Sequence, residues 1–77
     1  MLRKVQSIGL MDLCEVIKAR RKTLAISQQD LAEMSGLGVA TIKDIERGKG
    51  NPSLSTVSRI LDVLGMELEI KVRQTVV

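Results

Sequence analysis

QQDLAEMSGLGVATIKDIER, Gln28 to Arg47, is the stretch that decides the fold. It reads as two short helices around a glycine. Ser27 just before it and Asp30 form a capping box with Asp in place of Glu: Ser27 caps, and Asp30 reaches back. This predicts a helix over about 28–35, with Leu31, Ala32 and Met34 available for packing. Gly36 ends it in a tight turn, where a left-handed backbone is cheap only for glycine. A second helix follows over about 39–47. At about 100° per residue, Val39, Ala40, Lys43, Asp44 and Arg47 share one arc, and Ile42 and Ile45 fall opposite. The two isoleucines therefore anchor this helix, and the other five residues form one exposed ridge.

Outward from this centre the pattern stays helical. Towards the N-terminus, Leu10, Leu13, Ile17 and Leu24 lie on one face with Val16 at its edge, while Glu15, Lys18 and Lys22 point away, so a helix is expected over about 10–23. Lys18, Arg20 and Lys22 read as a solvated face, and Cys14 as a small buried apolar residue. Residues 1–9 form a short N-terminal segment with a small basic patch at Arg3 and Lys4. Towards the C-terminus, Gly48, Lys49, Gly50, Asn51 and Pro52 make a loop. Ser53 caps a fourth helix over about 54–64, whose apolar stripe is Leu54, Val57, Ile60, Leu61 and Leu64, and Gly65 stops it. The period then drops to two. Met66, Leu68, Ile70 and Val72 alternate with Glu67, Glu69, Lys71 and Arg73, the pattern of a half-buried strand. The expected division is an N-terminal segment (1–9), a helical domain (10–65), and a strand with a short tail (66–77).

Composition excludes several functions. The 77 residues contain no Phe, Trp, Tyr or His and a single Cys. Without aromatics there is no stacking platform for unpaired bases. Without His and with one Cys, no structural zinc site, disulfide framework or Cys/His dyad can be built within one chain, so no metal or cofactor is expected. No apolar run approaches the ~20 residues of a membrane span. A lone Cys fits a reducing cytosol. The net charge of +3 permits nucleic-acid binding through a local patch without demanding it. A core this small and wholly aliphatic supplies little stability, ~3–5 kcal/mol, so extra burial against a partner chain is expected.

Two short helices joined by a glycine turn, with supporting helices on either side, describe a helix-turn-helix. Ala32 is small where the two helices meet, Gly36 sits in the turn, and Ile42 and Ile45 lie beneath the second helix. Together with Leu31-Ala32 and the string Thr41-Ile42-x-x-Ile45-Glu46-Arg47-Gly48-x-x-Asn51-Pro52-Ser53, the chain closely resembles the phage-repressor/Cro-like (XRE-like) helix-turn-helix family over about residues 10–65. The resemblance implies a mainly α fold of four to five helices whose helix 39–47 enters the major groove of double-stranded DNA. Residue by residue, Gly38, Val39, Ala40, Lys43 and Asp44 match base-reading positions. Gln28, Arg47, Lys49 and Asn51 match phosphate-contacting ones, and Arg21 and Glu46 match a family ion pair. The sequence departs from the common pattern at Ala25, where Gly is frequent. Its reading face also has Lys43 as its one strong donor, with Val39 and Ala40 suited to thymine methyls and Asp44 to cytosine N4. Phosphate contacts and DNA shape are expected to contribute heavily.

A lone strand after four helices needs partners for its backbone. The simplest solution is a homodimer in which the strand pairs with its own copy across a two-fold axis. With Ile70 on the axis, Glu69 faces Lys71, Glu67 faces Arg73, and Leu68 faces Val72. Met66, Leu68, Ile70 and Val72 are thus the candidate dimerisation residues. Pairing with residues 2–6 of the same chain, or addition as an outer strand, are the alternatives. A repressor-like domain followed directly by such a strand resembles the HipB-like antitoxins, which bind operator DNA as dimers and hold a kinase-like toxin. The expected function is therefore a sequence-specific DNA-binding regulator, a repressor on a near-palindromic operator, acting in the prokaryotic cytoplasm at the nucleoid. The rival is an antitoxin-type interaction module. An enzyme is not expected, since the chain has no His and no Gly-rich phosphate loop after a strand.

Overall fold

The structure, a computed structural model, describes residues 10–69. It contains four helices: α1 (Leu10–Thr23), α2 (Gln28–Ser35), α3 (Val39–Glu46) and α4 (Leu54–Val63). α3 and α4 each stop one residue earlier than the periodicity suggests, with Arg47 and Leu64 as their C-caps. α2 packs against both α3 and α4, and α3 also packs against α1.

All four helices end in the same hydrogen-bonded motif. After α2, the Gly36 N–H donates to Glu33 and the Leu37 N–H to Ala32. The same paired bonds close α1 through Ala25 and Ile26, α3 through Gly48 and Lys49, and α4 through Gly65 and Met66. This satisfies carbonyls that a helix end leaves orphaned, and it requires a left-handed residue at the pivot. Ala25 is the exception in kind: its φ of 57° is the positive value expected of glycine. A side chain there costs roughly 1–2 kcal/mol in backbone strain.

The core is aliphatic throughout. Ile17, Leu31, Ile42, Ile45, Ile60 and Leu64 are buried, with Ala32, Val57 and Leu61 filling between them. Cys14 is buried as a free thiol. Three residues expected to pack do not. Met34 is 61% exposed, because Leu31, Ala32 and Ser35 define the buried arc of α2 and Met34 falls outside it. Leu54 is 59% exposed; side chains tilt towards a helix N-terminus, so the first residue of α4 aims past the packed layer. Leu24 lies beyond the last turn of α1, where helical periodicity no longer sets its direction, and it is exposed. The placement of Leu10's side chain, and of Arg3 and Lys4, lies outside the described residues.

Arg20 also departs from expectation. It is not on a solvated face with Lys18 and Lys22: its Nε donates to the Leu64 carbonyl at 3.0 Å, linking α1 to the end of α4. Beyond Gly65 the expected strand is not formed among the described residues. Met66–Glu69 carry no regular secondary structure, Met66 packs on the core, and Leu68 is exposed. A strand is defined by its pairing, and the described residues of one chain supply no second strand. Ile70 and Val72, like the alternative pairing segment 2–6, lie outside the described residues.

Candidate nucleic-acid interface

The candidate surface is the solvent side of α3 together with the start of α2. At the start of α2, Ser27 Oγ accepts the Asp30 N–H at 2.9 Å and Asp30 Oδ2 accepts the Ser27 N–H at 3.2 Å. This satisfies one orphan donor of the helix and leaves the N–H groups of Gln28 and Gln29 pointing off its end. Such a terminus attracts anions through its free donors and its dipole. Gly36, with φ of 71°, turns the chain, and Gly38 starts α3 without any side-chain cap. The first turn of α3 is therefore bare backbone flanked by small side chains.

Angular position explains which side chains α3 presents. Measured from Val39 at about 100° per residue, Ile45, Ile42 and Glu46 occupy roughly 240–340°, and Lys43, Arg47, Ala40, Asp44 and Thr41 occupy roughly 40–200°. The first group faces inward, with Ile42 and Ile45 buried. In the second group, Ala40, Thr41, Lys43 and Arg47 are exposed and Asp44 is partly exposed. Val39 sits at the border. It was expected on the exposed ridge, but it is half-buried and packs against the core, only one step from Ile42 and Glu46 in angle. Thr41 belongs on the exposed side and was missed by the sequence reading; the same angular arithmetic finds it.

Electrostatics divides the ridge further. Asp44 Oδ1 accepts a hydrogen bond from Arg47 Nη2 in an ion pair one turn apart, with both side chains more than half exposed. Lys43 makes no ion pair among the described residues. Lys49 and Asn51 are exposed in the following loop, and the Lys49 N–H is held by the Asp44 carbonyl at 2.8 Å.

The inner side of α3 is fixed by a buried charge pair. Glu46, with a side chain only 2% exposed, accepts Arg21 Nε at 2.7 Å and Arg21 Nη2 at 3.0 Å. Arg21 Nη1 also donates to the Ile26 carbonyl at 2.9 Å, in the turn between α1 and α2. The hydrogen bond to Glu46 raises the Arg21 pKa, burial opposes it, and the Glu46 charge adds to the rise. Gln28 joins this network: its Nε2 donates to Glu46 Oε1 at 3.3 Å. The amide nitrogen of Gln28 is thus turned inward, and its backbone N–H is the donor left for an anion. Among the described residues no cluster of His, Cys, Asp or Glu could hold a metal ion, and no helix is long and apolar enough to cross a membrane.

Residues 17–71 match the helix-turn-helix family. The immunity repressor protein of Bacillus phage phi105 is 42% identical over 52 residues, 68% of this chain and 36% of that protein. The chain therefore spans about a third of that relative's length. Among solved structures, the restriction-modification controller protein C.Esp1396I, as a tetramer in complex with its natural 35 base-pair operator, superimposes with a TM-score of 0.73 at 31% identity, covering 80% of this chain and 82% of that one. A HipA–HipB–O2–O3 complex contains a chain that superimposes with a TM-score of 0.75 at 26% identity, covering 95% of this chain and all of that one.

Proposed function

This chain belongs to the helix-turn-helix family of the phage-repressor (XRE) type, and from that premise we propose that it is a sequence-specific regulator of transcription, a repressor, that places α3 in the major groove of double-stranded DNA. One observation carries the reading. α3 is held from behind by Ile42, Ile45 and the buried Glu46, while its front offers an uncapped first turn, Ala40, and the cation of Lys43, which makes no ion pair among the described residues. A helix so mounted can enter a groove without rearranging its own support. Gly38, Val39, Ala40, Lys43 and Asp44 are assigned to the base edges, with Val39 contributing from the border of the core. Arg47, Lys49, Asn51 and the α2 terminus at Gln28 are assigned to phosphates. The chemistry is binding, without catalysis or a cofactor, and its place is the cytoplasm.

Residues 10–65 form the DNA-binding unit in this proposal, and residues 66–77 the dimerisation element. Met66, Leu68, Ile70 and Val72 pair with their copies in a second chain, placing two α3 helices about 34 Å apart on a near-palindromic operator. The exposed Leu68 supports this, as does the oligomeric assembly of the controller protein on its operator.

The test is selection of bound duplexes from a random library with the full chain, followed by affinity measured against salt. A near-palindromic motif whose affinity falls steeply with salt is expected, because neutralised phosphates release counterions. Salt-independent binding, or no enriched motif, overturns the reading. Deleting residues 66–77 should give a monomer with much weaker operator binding; a truncated chain that still sediments as a dimer and binds normally removes the tail from dimerisation.

A second reading is favoured by the near-complete superposition on the chain from the HipA–HipB complex. Here the same dimer also sequesters a kinase-like toxin and represses its own operon. A toxin gene beside this one, and a stable complex of the two products, would support it.

A further inference from the structure

Two adjacent arginines close α1, and they hold opposite ends of the machinery. Arg21 grips Glu46 at the end of α3. Arg20 grips the Leu64 carbonyl, 44 residues away, at the point where the chain leaves α4. The outgoing turn is already closed without Arg20. The Gly65 N–H donates to Asp62 at 3.2 Å and the Met66 N–H to Leu61 at 2.8 Å, and the Leu64 side chain is buried. Stopping the helix therefore needs nothing from α1. What Arg20 adds is a bond from α1 to the residue at which the chain leaves α4. Its guanidinium lies over Gly65, with Nη2 3.7 Å from where a Cβ on that residue would stand.

We infer that Arg20 is a positioning residue that sets the direction in which the tail leaves the domain, and thereby the half-site spacing that the dimer accepts. The inference rests on the tail-mediated dimer proposed above. In that dimer Ile70 stands five residue steps beyond Gly65, a lever of about 16 Å when the strand is extended. Swinging that lever by about 10° moves its tip by roughly 3 Å, and the two-fold axis doubles the effect between recognition helices. One base pair of added spacer displaces a half-site by about 3.4 Å and turns it by about 35°. A loosened exit is thus large enough to change which spacing fits. Because Arg20 and Arg21 are neighbours on one helical turn, tail and α3 are referred to the same piece of backbone.

The experiment uses the full chain and operators built from the selected half-site with spacers from two base pairs short to two base pairs long. Arg20→Met keeps most of the aliphatic stem and loses the donor. Arg20→Gln keeps a donor at the position of Nε and loses the charge, so it separates the hydrogen bond from any direct attraction to phosphate. The parent should prefer its best spacing by about tenfold or more over a one-base-pair change, on the scale of a single mismatched base pair. R20M should remain a dimer, select the same half-site, and discriminate spacing by about threefold or less; R20Q should keep the parent's preference.

An R20M dimer with the parent's spacing preference overturns the inference. So does an R20Q chain that weakens uniformly at every spacing with a shallower salt dependence, which would make Arg20 a phosphate contact. Loss of the R20M thermal transition would make the tether a stability element and likewise overturn the positioning role. A parent that sediments as a monomer overturns the dimer reading itself, an outcome read before any variant is compared.

Discussion

The two ends of α3 are built on opposite plans. Its C-terminal end is locked: Glu46 takes two bonds from Arg21 and one from Gln28, Ile45 is buried, and the outgoing turn is closed by Gly48 and Lys49. Its N-terminal end is bare, with Gly38 offering no side-chain cap and Ala40 and Thr41 facing solvent. A helix that must enter a groove needs one end it can present and another that keeps it from moving. With α3 reading DNA as proposed, stability and recognition fall on different residues of the same eight-residue helix, so substitutions at its two ends should fail in different measurements.

The largest effect is expected at the locked end. Glu46→Ala leaves the Arg21 guanidinium buried without its counter-charge, which costs about 3–5 kcal/mol. For a core of this size that is most of the available stability, so the variant should be largely unfolded in a urea titration at room temperature. The pH dependence follows from the sign of the Arg21 shift. Its folded pKa is raised above the unfolded value, so its contribution is complete below the unfolded value and lost only as pH climbs through the folded one. Arginine titrates far above neutrality, and the stability gap between parent and Glu46→Ala should not shrink between about pH 7 and 9 through deprotonation of Arg21. A gap under about 1 kcal/mol would break the comparison, since the lock would then be no more than a surface pair.

Next comes Lys43→Ala, at the presented face. Its unfolding free energy should match the parent's within about 0.5 kcal/mol, as for an exposed residue with no ion pair among the described residues. Operator affinity should fall by about 1–3 kcal/mol if the ammonium reads a base edge. A uniform loss across all sequences, with a salt slope smaller by about one, would move Lys43 from the bases to a phosphate.

Ala25→Gly sharpens the contrast from outside α3. The Ala25 turn carries Ile26, whose carbonyl helps hold Arg21, so relieving its strain acts on the lock alone. Removing the left-handed penalty of about 1–2 kcal/mol, less the entropy that a glycine adds to the unfolded chain, should leave a gain of about 0.5–1 kcal/mol. That corresponds to a Tm higher by roughly 3–6 °C, with the selected operator unchanged. A changed operator would show that the α1–α2 turn also steers recognition.

What could be read in the sequence was mostly local. Ser27 and Asp30 are three residues apart, and their reciprocal bonds need only a helix start. Gly36 announces its turn by itself, and Ile42 and Ile45 mark the buried side of α3 by spacing alone. The Arg21–Glu46 contact entered through the family resemblance rather than through spacing, because nothing within 25 residues of chain links the two. Arg20 was misread because its partner is a backbone carbonyl 44 residues away, and a carbonyl has no residue type to give it away. Val39 lies at the border of two arcs, where periodicity decides least and neighbouring helices decide most. Met34 and Leu54 are apolar residues left in water, which composition cannot distinguish from core. The tail's alternation is legible, but pairing belongs to two strands, and the described residues contain no partner strand.

The smallest stability effect, and the finest test of the presented face, belongs to Asp44. Its pair with Arg47 is exposed on both sides, and such i,i+3 pairs contribute at most about 0.5 kcal/mol, so Asp44→Ala should unfold with the parent. Its consequence should appear in specificity instead. A carboxylate at this place on α3 can accept from cytosine N4, and it also occupies the Arg47 guanidinium. Removing it deletes the acceptor and frees the cation in one step. The selected motif should then lose its cytosine preference at one position in each half-site, while overall affinity for DNA rises and its salt dependence steepens. A motif that keeps the cytosine would take Asp44 out of direct readout and leave it a single task, holding Arg47 away from phosphates.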